Sequence, residues 1–208
     1  MEINNLETGD LLLFTKSSSN GFFFSIMDSL ISYFTESEFI HIGMILKDPY
    51  FINSELNGLY LWESSWQNEY DPQDQKHKFG VRLTKMETIL DVYKDSNIIV
   101  RRLSDHEKYF NQNILSEIHQ VVYEKPYDIY PIDWIEAIFK KDIEPQKTSR
   151  FWCSALVGYI YTKCGILNSN TDWSILRPSD FSLDSENLVL NQECKFCLND
   201  NLKLNGKN

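Results

Sequence analysis

Apolar positions in this chain fall into short unbroken runs and a few helical stripes, and each pattern predicts an element. Residues 10–15 (DLLLFT) form an apolar run led by Gly9-Asp10, the pattern of a turn feeding a buried strand. Phe23, Met27, Leu30 and Phe34 recur at helical spacing behind Asn20-Gly21, which predicts an amphipathic helix. Residues 39–46 (FIHIGMIL) are apolar and rich in β-branched side chains, and Asp48-Pro49 closes them, so they read as a central strand. Residues 58–65 (GLYLWESS) follow the turn signal Asn57-Gly58 and predict a second strand, joined to the first as a hairpin.

Farther along, Asn68 to Lys78 is polar and contains Pro72, the composition of a mobile surface loop. Residues 96–103 (SNIIVRRL) predict a third strand. Behind it Ser104-Asp105-His106-Glu107 has the form of a capping box, opening a helix whose stripe is Ile114, Ile118, Val121 and Val122 and which Pro126 ends. A short helical piece is expected at 132–140. Thr148 and Ser149 are placed to cap a helix with the body 150–164 (RFWCSALVGYIYTKC), stopped by Gly165. Leu176 to Asp180 reads as a turn, residues from Asn199 to 208 as a frayed tail, and no internal repeat is visible.

Strands and helices of this kind make an α+β protein, and 208 residues suit one domain with helical material inserted between the second strand and the 150–164 helix. With 42% hydrophobic and 14% aromatic residues the chain can bury a core. Its net charge of -10 repels nucleic acid and anionic lipid headgroups. Residues 21–34 are too short for a membrane span and carry Asp28, and Met1 to Asp10 lacks a basic leader, so neither stable membrane insertion nor a secretory signal is expected. Four cysteines do not make a disulfide framework; free thiols in a cytoplasmic compartment are expected.

Three residues carry candidate chemistry. Cys153 falls in the first turns of a helix, where unpaired N–H groups and the dipole favour a negative charge. Taken alone, a cysteine is more often a small core residue, which is how Cys164 at the far end of the same helix is read. In 39–46 the period of two puts His41, Gly43 and Ile45 on one face; an imidazole there needs a partner, and Gly43 leaves room for another element. Glu63 follows Leu59 and Leu61 on one face of its strand, where a buried carboxylate would also need a partner and an exposed one would be ordinary. If the two strands pair, Glu63 can hold the ring of His41 and fix its tautomer.

Together these pieces resemble a known family. Gly9-Asp10-Leu11-Leu12 at the entrance, His41-Ile42-Gly43 in a strand, Glu63 in the next and Cys153-Ser154-Ala155-Leu156-Val157 opening a helix are similar to the circularly permuted papain-like branch of the NlpC-type superfamily. Leu176-Arg177-Pro178-Ser179-Asp180 looks like the proline turn that follows the cysteine helix there. That branch includes YiiX-like bacterial proteins, lecithin:retinol acyltransferase relatives and a poxvirus protein, so a viral source is one the resemblance allows. It implies a small antiparallel sheet or half-barrel packed on helices, with a catalytic cysteine at a helix N-terminus and the histidine strand ahead of it in the chain. It also implies a thiol hydrolase or acyltransferase with Cys153 as nucleophile, His41 as base and Glu63 as orienter. The bond attacked would be an amide, ester or thioester in a small-molecule, lipid-acyl or peptide substrate, with no cofactor.

Two other readings stay open: a catalytically idle binding module that retains the fold, and a redox or metal role for Cys194 and Cys197. The C-x-x-C pair lacks a second pair or a spaced histidine, so no metal site is expected. His77, His106 and His119 read as surface histidines. Phe22, Phe23, Phe24 and the aromatics near Cys153 are expected to form an apolar cleft for an acyl chain, with ester or thioester hydrolysis favoured over peptide cleavage.

Overall fold

A computed structural model of the chain describes residues 1–15, 37–66, 68–128, 148–183, 185 and 188–202. The helix expected from Phe23 to Phe34, the helical piece at 132–140 and the Phe22–Phe24 part of the cleft lie outside these residues. The fold is α+β. The strands are β1 (Leu11–Thr15), β2 (Phe39–Lys47), β3 (Leu59–Trp66), β4 (Phe79–Lys85), β5 (Ile98–Leu103) and β6 (Phe196–Asn201). They form one sheet in the order β4-β3-β2-β1-β5-β6, with every neighbouring pair antiparallel.

All five β1 residues are buried because this strand lies inside the sheet and both faces are covered. On one face Leu11, Leu13, Ile42, Met44 and Trp62 pack with Leu115, Ile118 and Val122 of α3 (Gln112–Val122) and Leu156 and Ile160 of α4 (Cys153–Lys163). On the other, Leu12, Phe14, Ile45 and Leu61 pack with Met86 and Ile89 of α1 (Met86–Val92). Each large side chain so buried stabilises the fold by roughly 1.5–3 kcal/mol before conformational entropy is set against it.

Gly9-Asp10 ties the sheet to α4. Gly9 has φ +96°, and a Cβ there would come within 2.0 Å of the Phe110 ring. Its carbonyl accepts from the Tyr161 hydroxyl at 2.9 Å. Asp10 is fully buried and takes both arms of Arg102, at 2.6 and 2.5 Å, so its charge is matched in a bidentate pair.

Several expected boundaries move. The Ser104–Glu107 box does not form: Asp105 adopts a left-handed conformation without a side-chain cap, and only a short helix, α2 (His106–Tyr109), follows. The long helix starts at Gln112, where Asn111 caps it by accepting from the Ile114 amide at 3.0 Å. Asn111 can curl back on that amide while keeping extended backbone, which Asp105 with φ 53° cannot. Val121 is exposed on this helix, while Leu115, Ile118 and Val122 form its buried stripe.

Likewise α4 begins at Cys153, not at 150. Phe151 is held in a bridge with Tyr127, which keeps the chain extended up to Trp152. The expected frayed tail is also corrected: β6 pairs with β5 as far as Asn201, and the N-terminal amine bonds to Asp200 and Asn201. Residues 203–208 lie outside the description.

The polar stretch 68–78 is anchored by charge. Asp71 is fully buried, and Lys78, 8% exposed at its side chain, bonds Asp71 at 2.8 Å and Asp74 at 2.7 Å. Tyr123 of α3's C-terminal end donates to Asp74, and the His119 ring donates to Gln73, both at 2.7 Å. His119 is therefore not a surface histidine. Burial first, then the nearby Lys78 charge, lowers its imidazole to about 4, so the ring stays neutral. Loop polarity concealed this anchor, because the ammonium and its two carboxylates satisfy one another out of water.

Candidate active site

The site forms where β2 and β3 part. Their ladder runs from Lys47↔Leu59 to Met44↔Trp62, and among the described residues no pairing continues past Met44 towards His41. Beyond that point β2 stays on β1, with His41 opposite Phe14, while β3 stays on β4, with Glu63 opposite Arg82. Side chains at the opening are thus released from strict cross-strand pairing but remain on two strands fixed by other neighbours.

His41 projects on the face shared with Ile45 and α1, as the alternation of 39–46 predicts. Its ring lies 5.5 Å from the Phe14 ring and stacks on Tyr93 at 6.2 Å between centroids. Glu63 follows Leu61 on the same face and is fully buried. Its Oε2 accepts from His41 Nε2 at 2.6 Å. Its Oε1 accepts from the Thr84 hydroxyl at 2.5 Å. The room that Gly43 leaves is filled by its neighbour strand: a Cβ on Gly43 would lie 2.7 Å from Leu61 Cγ, so the glycine lets β3 close in beside the histidine.

Cys153 is the first residue of α4, with Trp152 as the extended cap, so the thiol sits where helical N–H groups lack intrahelical partners. Local bonds set this helix end. Ser64 of β3 donates to the Phe151 carbonyl at 2.6 Å, which seats the approach to the helix on the strand that carries Glu63. Ser154 donates to the Leu176 carbonyl at 2.6 Å, so the proline turn is fastened beside the cysteine. That turn is a 3-10 helix, Pro178–Phe181, in which the Arg177 amide donates to Asp180 at 2.8 Å. Gly158 permits the close approach, since a Cβ there would come within 2.7 Å of Leu176.

The structure thus brings Cys153, His41 and Glu63 together. Burial disfavours a charged imidazole at His41, but side-chain hydrogen bonds to Cys153 and Glu63, reinforced by their charges, outweigh it and raise the ring from 6.5 to about 10. With Nε2 committed to Glu63, Nδ1 is the nitrogen left for the thiol. For Glu63, burial is opposed by His41, Thr84 and Arg82, and the carboxylate is held below its ordinary value. Cys164 behaves differently: at the C-terminal end of α4, burial pushes its thiol up to about 12.

The other cysteines do not join the site. Cys194 is buried and Cys197 exposed, and all four cysteines are unpaired. His77 is exposed and His106 half-buried. Sequence patterning passed over two residues on β4, Arg82 and Thr84, which share the Glu63 face of the sheet. Their signal was present in the alternation Val81-Arg82-Leu83-Thr84, but the preceding polar loop masked the strand. No protein-family model and no curated protein matches the chain. No helix among the described residues is long and apolar enough to cross a membrane.

Proposed function

We propose that the chain is a cysteine-dependent hydrolase or acyltransferase of the permuted papain-like kind, acting through Cys153, His41 and Glu63. The observation that carries this reading is a cysteine at the first position of a helix, interacting with an imidazole whose Nε2 is held by a fully buried carboxylate. The chain order, histidine strand before cysteine helix, agrees with the permutation. The His41 proton is the one the thiol gives up, and the Glu63 charge stabilises the resulting imidazolium. Cys153 Sγ then attacks a carbonyl carbon, and the helix N–H groups stabilise the oxyanion. As the tetrahedral intermediate collapses, the C–N, C–O or C–S bond breaks and His41 delivers its proton to the leaving group. A water or acceptor hydroxyl, deprotonated by the now neutral ring, attacks the thioester and returns the thiol.

The experiment is to expose wild-type protein and Cys153→Ala to acyl esters, acyl thioesters, acyl amides and short peptides, and to follow turnover and intact mass. An acyl adduct on Cys153 with turnover of at least one class, absent in Cys153→Ala, is expected; undiminished turnover in the variant refutes the nucleophile. A wild type that forms no adduct and turns over nothing favours the idle binding module.

A further inference from the structure

We propose that Thr84 is a positioning residue of this relay, its hydroxyl holding one oxygen of Glu63 so that the other stays on His41; the proposal rests on the catalytic reading of Cys153, His41 and Glu63. A carboxylate only accepts hydrogen bonds, so at the 2.5 Å contact with Oε1 the threonine is the donor. The two oxygens of Glu63 are thus taken by two donors on two different strands, His41 on β2 and Thr84 on β4. One bond would leave the terminal torsion of a glutamate broad; two bonds at opposite ends set the plane of the carboxylate.

Thr84 suits this task. Its β-branched side chain has few rotamers, it is 2% exposed, and its strand is locked to β3 by seven consecutive pairs from Tyr60↔Lys85 to Trp66↔Phe79. Its register partner is Leu61, two residues before Glu63, so the carboxylate leans along the strand to reach it. Arg82, directly opposite Glu63, adds a favourable charge. Thr84 also borders a recess of about 280 Å³ lined by Glu69, Tyr70 and Arg82, so Thr84→Val, which keeps the volume, leaves that recess the same size.

The test is the pH dependence of Cys153 alkylation by iodoacetamide between pH 4 and 8, with site occupancy read by peptide mass mapping, in wild type, Thr84→Val, Thr84→Ala and Thr84→Ser. Losing a charge-assisted bond to the carboxylate weakens the imidazolium and should move the acid limb of the profile up by about one pH unit, roughly tenfold slower labelling on that limb. Thr84→Ser should restore the wild-type limb, which a packing role would not produce. Thr84→Ala reads the same loss should the valine variant not fold. A limb unchanged in the variants without a hydroxyl, while wild-type Cys153 outpaces the exposed Cys197, overturns the role of Thr84 alone. Wild-type Cys153 reacting no faster than Cys197 overturns the catalytic reading and the positioning role with it.

Discussion

Replacing Glu63 by glutamine tests the centre of the site with the least change in shape. The side chain keeps its size, but its charge disappears from a position that is fully buried and bonded to His41 at 2.6 Å and Thr84 at 2.5 Å. Removing one partner from a buried pair typically destabilises by about 3–5 kcal/mol, because the other charge is left uncompensated. Here Cys153 and the freedom of the ring to lose its proton soften the loss, so we expect about 3 kcal/mol. For a chain of this size that lowers the melting temperature by about 6–12 °C. The pH dependence is more specific. Glu63 is held below its ordinary 4.5, so its contribution is present above that value and is lost as pH falls through the folded one. His41 is raised from 6.5 to about 10, so its contribution is full below 6.5 and is lost as pH rises through 10. The stability difference between wild type and Glu63→Gln, from urea titrations at a series of pH values, should therefore be greatest near pH 5–6.5 and shrink towards pH 10. A difference below about 1 kcal/mol, or one that stays flat across that range, refutes the buried ion pair.

In Cys153→Ala the fold should persist while the His41 ring, followed by nitrogen NMR, titrates well below 10, since burial then acts with one partner removed; an unmoved ring would mean that the thiol does not touch it. Gly43→Ala should cost about 1–3 kcal/mol in urea denaturation and slow Cys153 labelling, because the new Cβ meets Leu61 at 2.7 Å and pushes β3 away from the histidine; a neutral result would show that the sheet gives way freely there. Lys78→Met should lower stability by about 3–5 kcal/mol and open 68–78 to limited proteolysis, as Asp71 and Asp74 lose their buried cation. Wild-type resistance in that variant would count against the anchor.

Much of the site was legible from residue order. Period-two alternation in 39–46 and 58–65 correctly sorted His41 and Glu63 onto one face, because a strand buried on both sides obliges each polar side chain to declare itself against an apolar background. The burial of Glu63 was conditional on a partner, and its partners include one that was named, His41, and one that was not, Thr84. Thr84 was missed because its strand follows Lys78, whose loop looked unstructured; local polarity cannot report that an ammonium and two carboxylates will neutralise one another.

Sequence by itself determined that 10–15, 39–46, 58–65 and 96–103 would be strands, that a helix would carry Cys153 near its start, and that Gly9 would mark a turn and Gly43 a close approach. These are short-range consequences of side-chain period and backbone sterics. Tertiary structure decided the rest. The start of α4 at Cys153 depends on Phe151 being held by Tyr127 and Ser64, residues 24 and 87 positions away. The meeting of thiol, imidazole and carboxylate depends on β2 and β3 ceasing to pair beyond Met44, each retained by a different neighbour strand. Where a ladder stops is set by competition among partners far apart in the chain, and no local pattern of residues encodes the outcome of that competition.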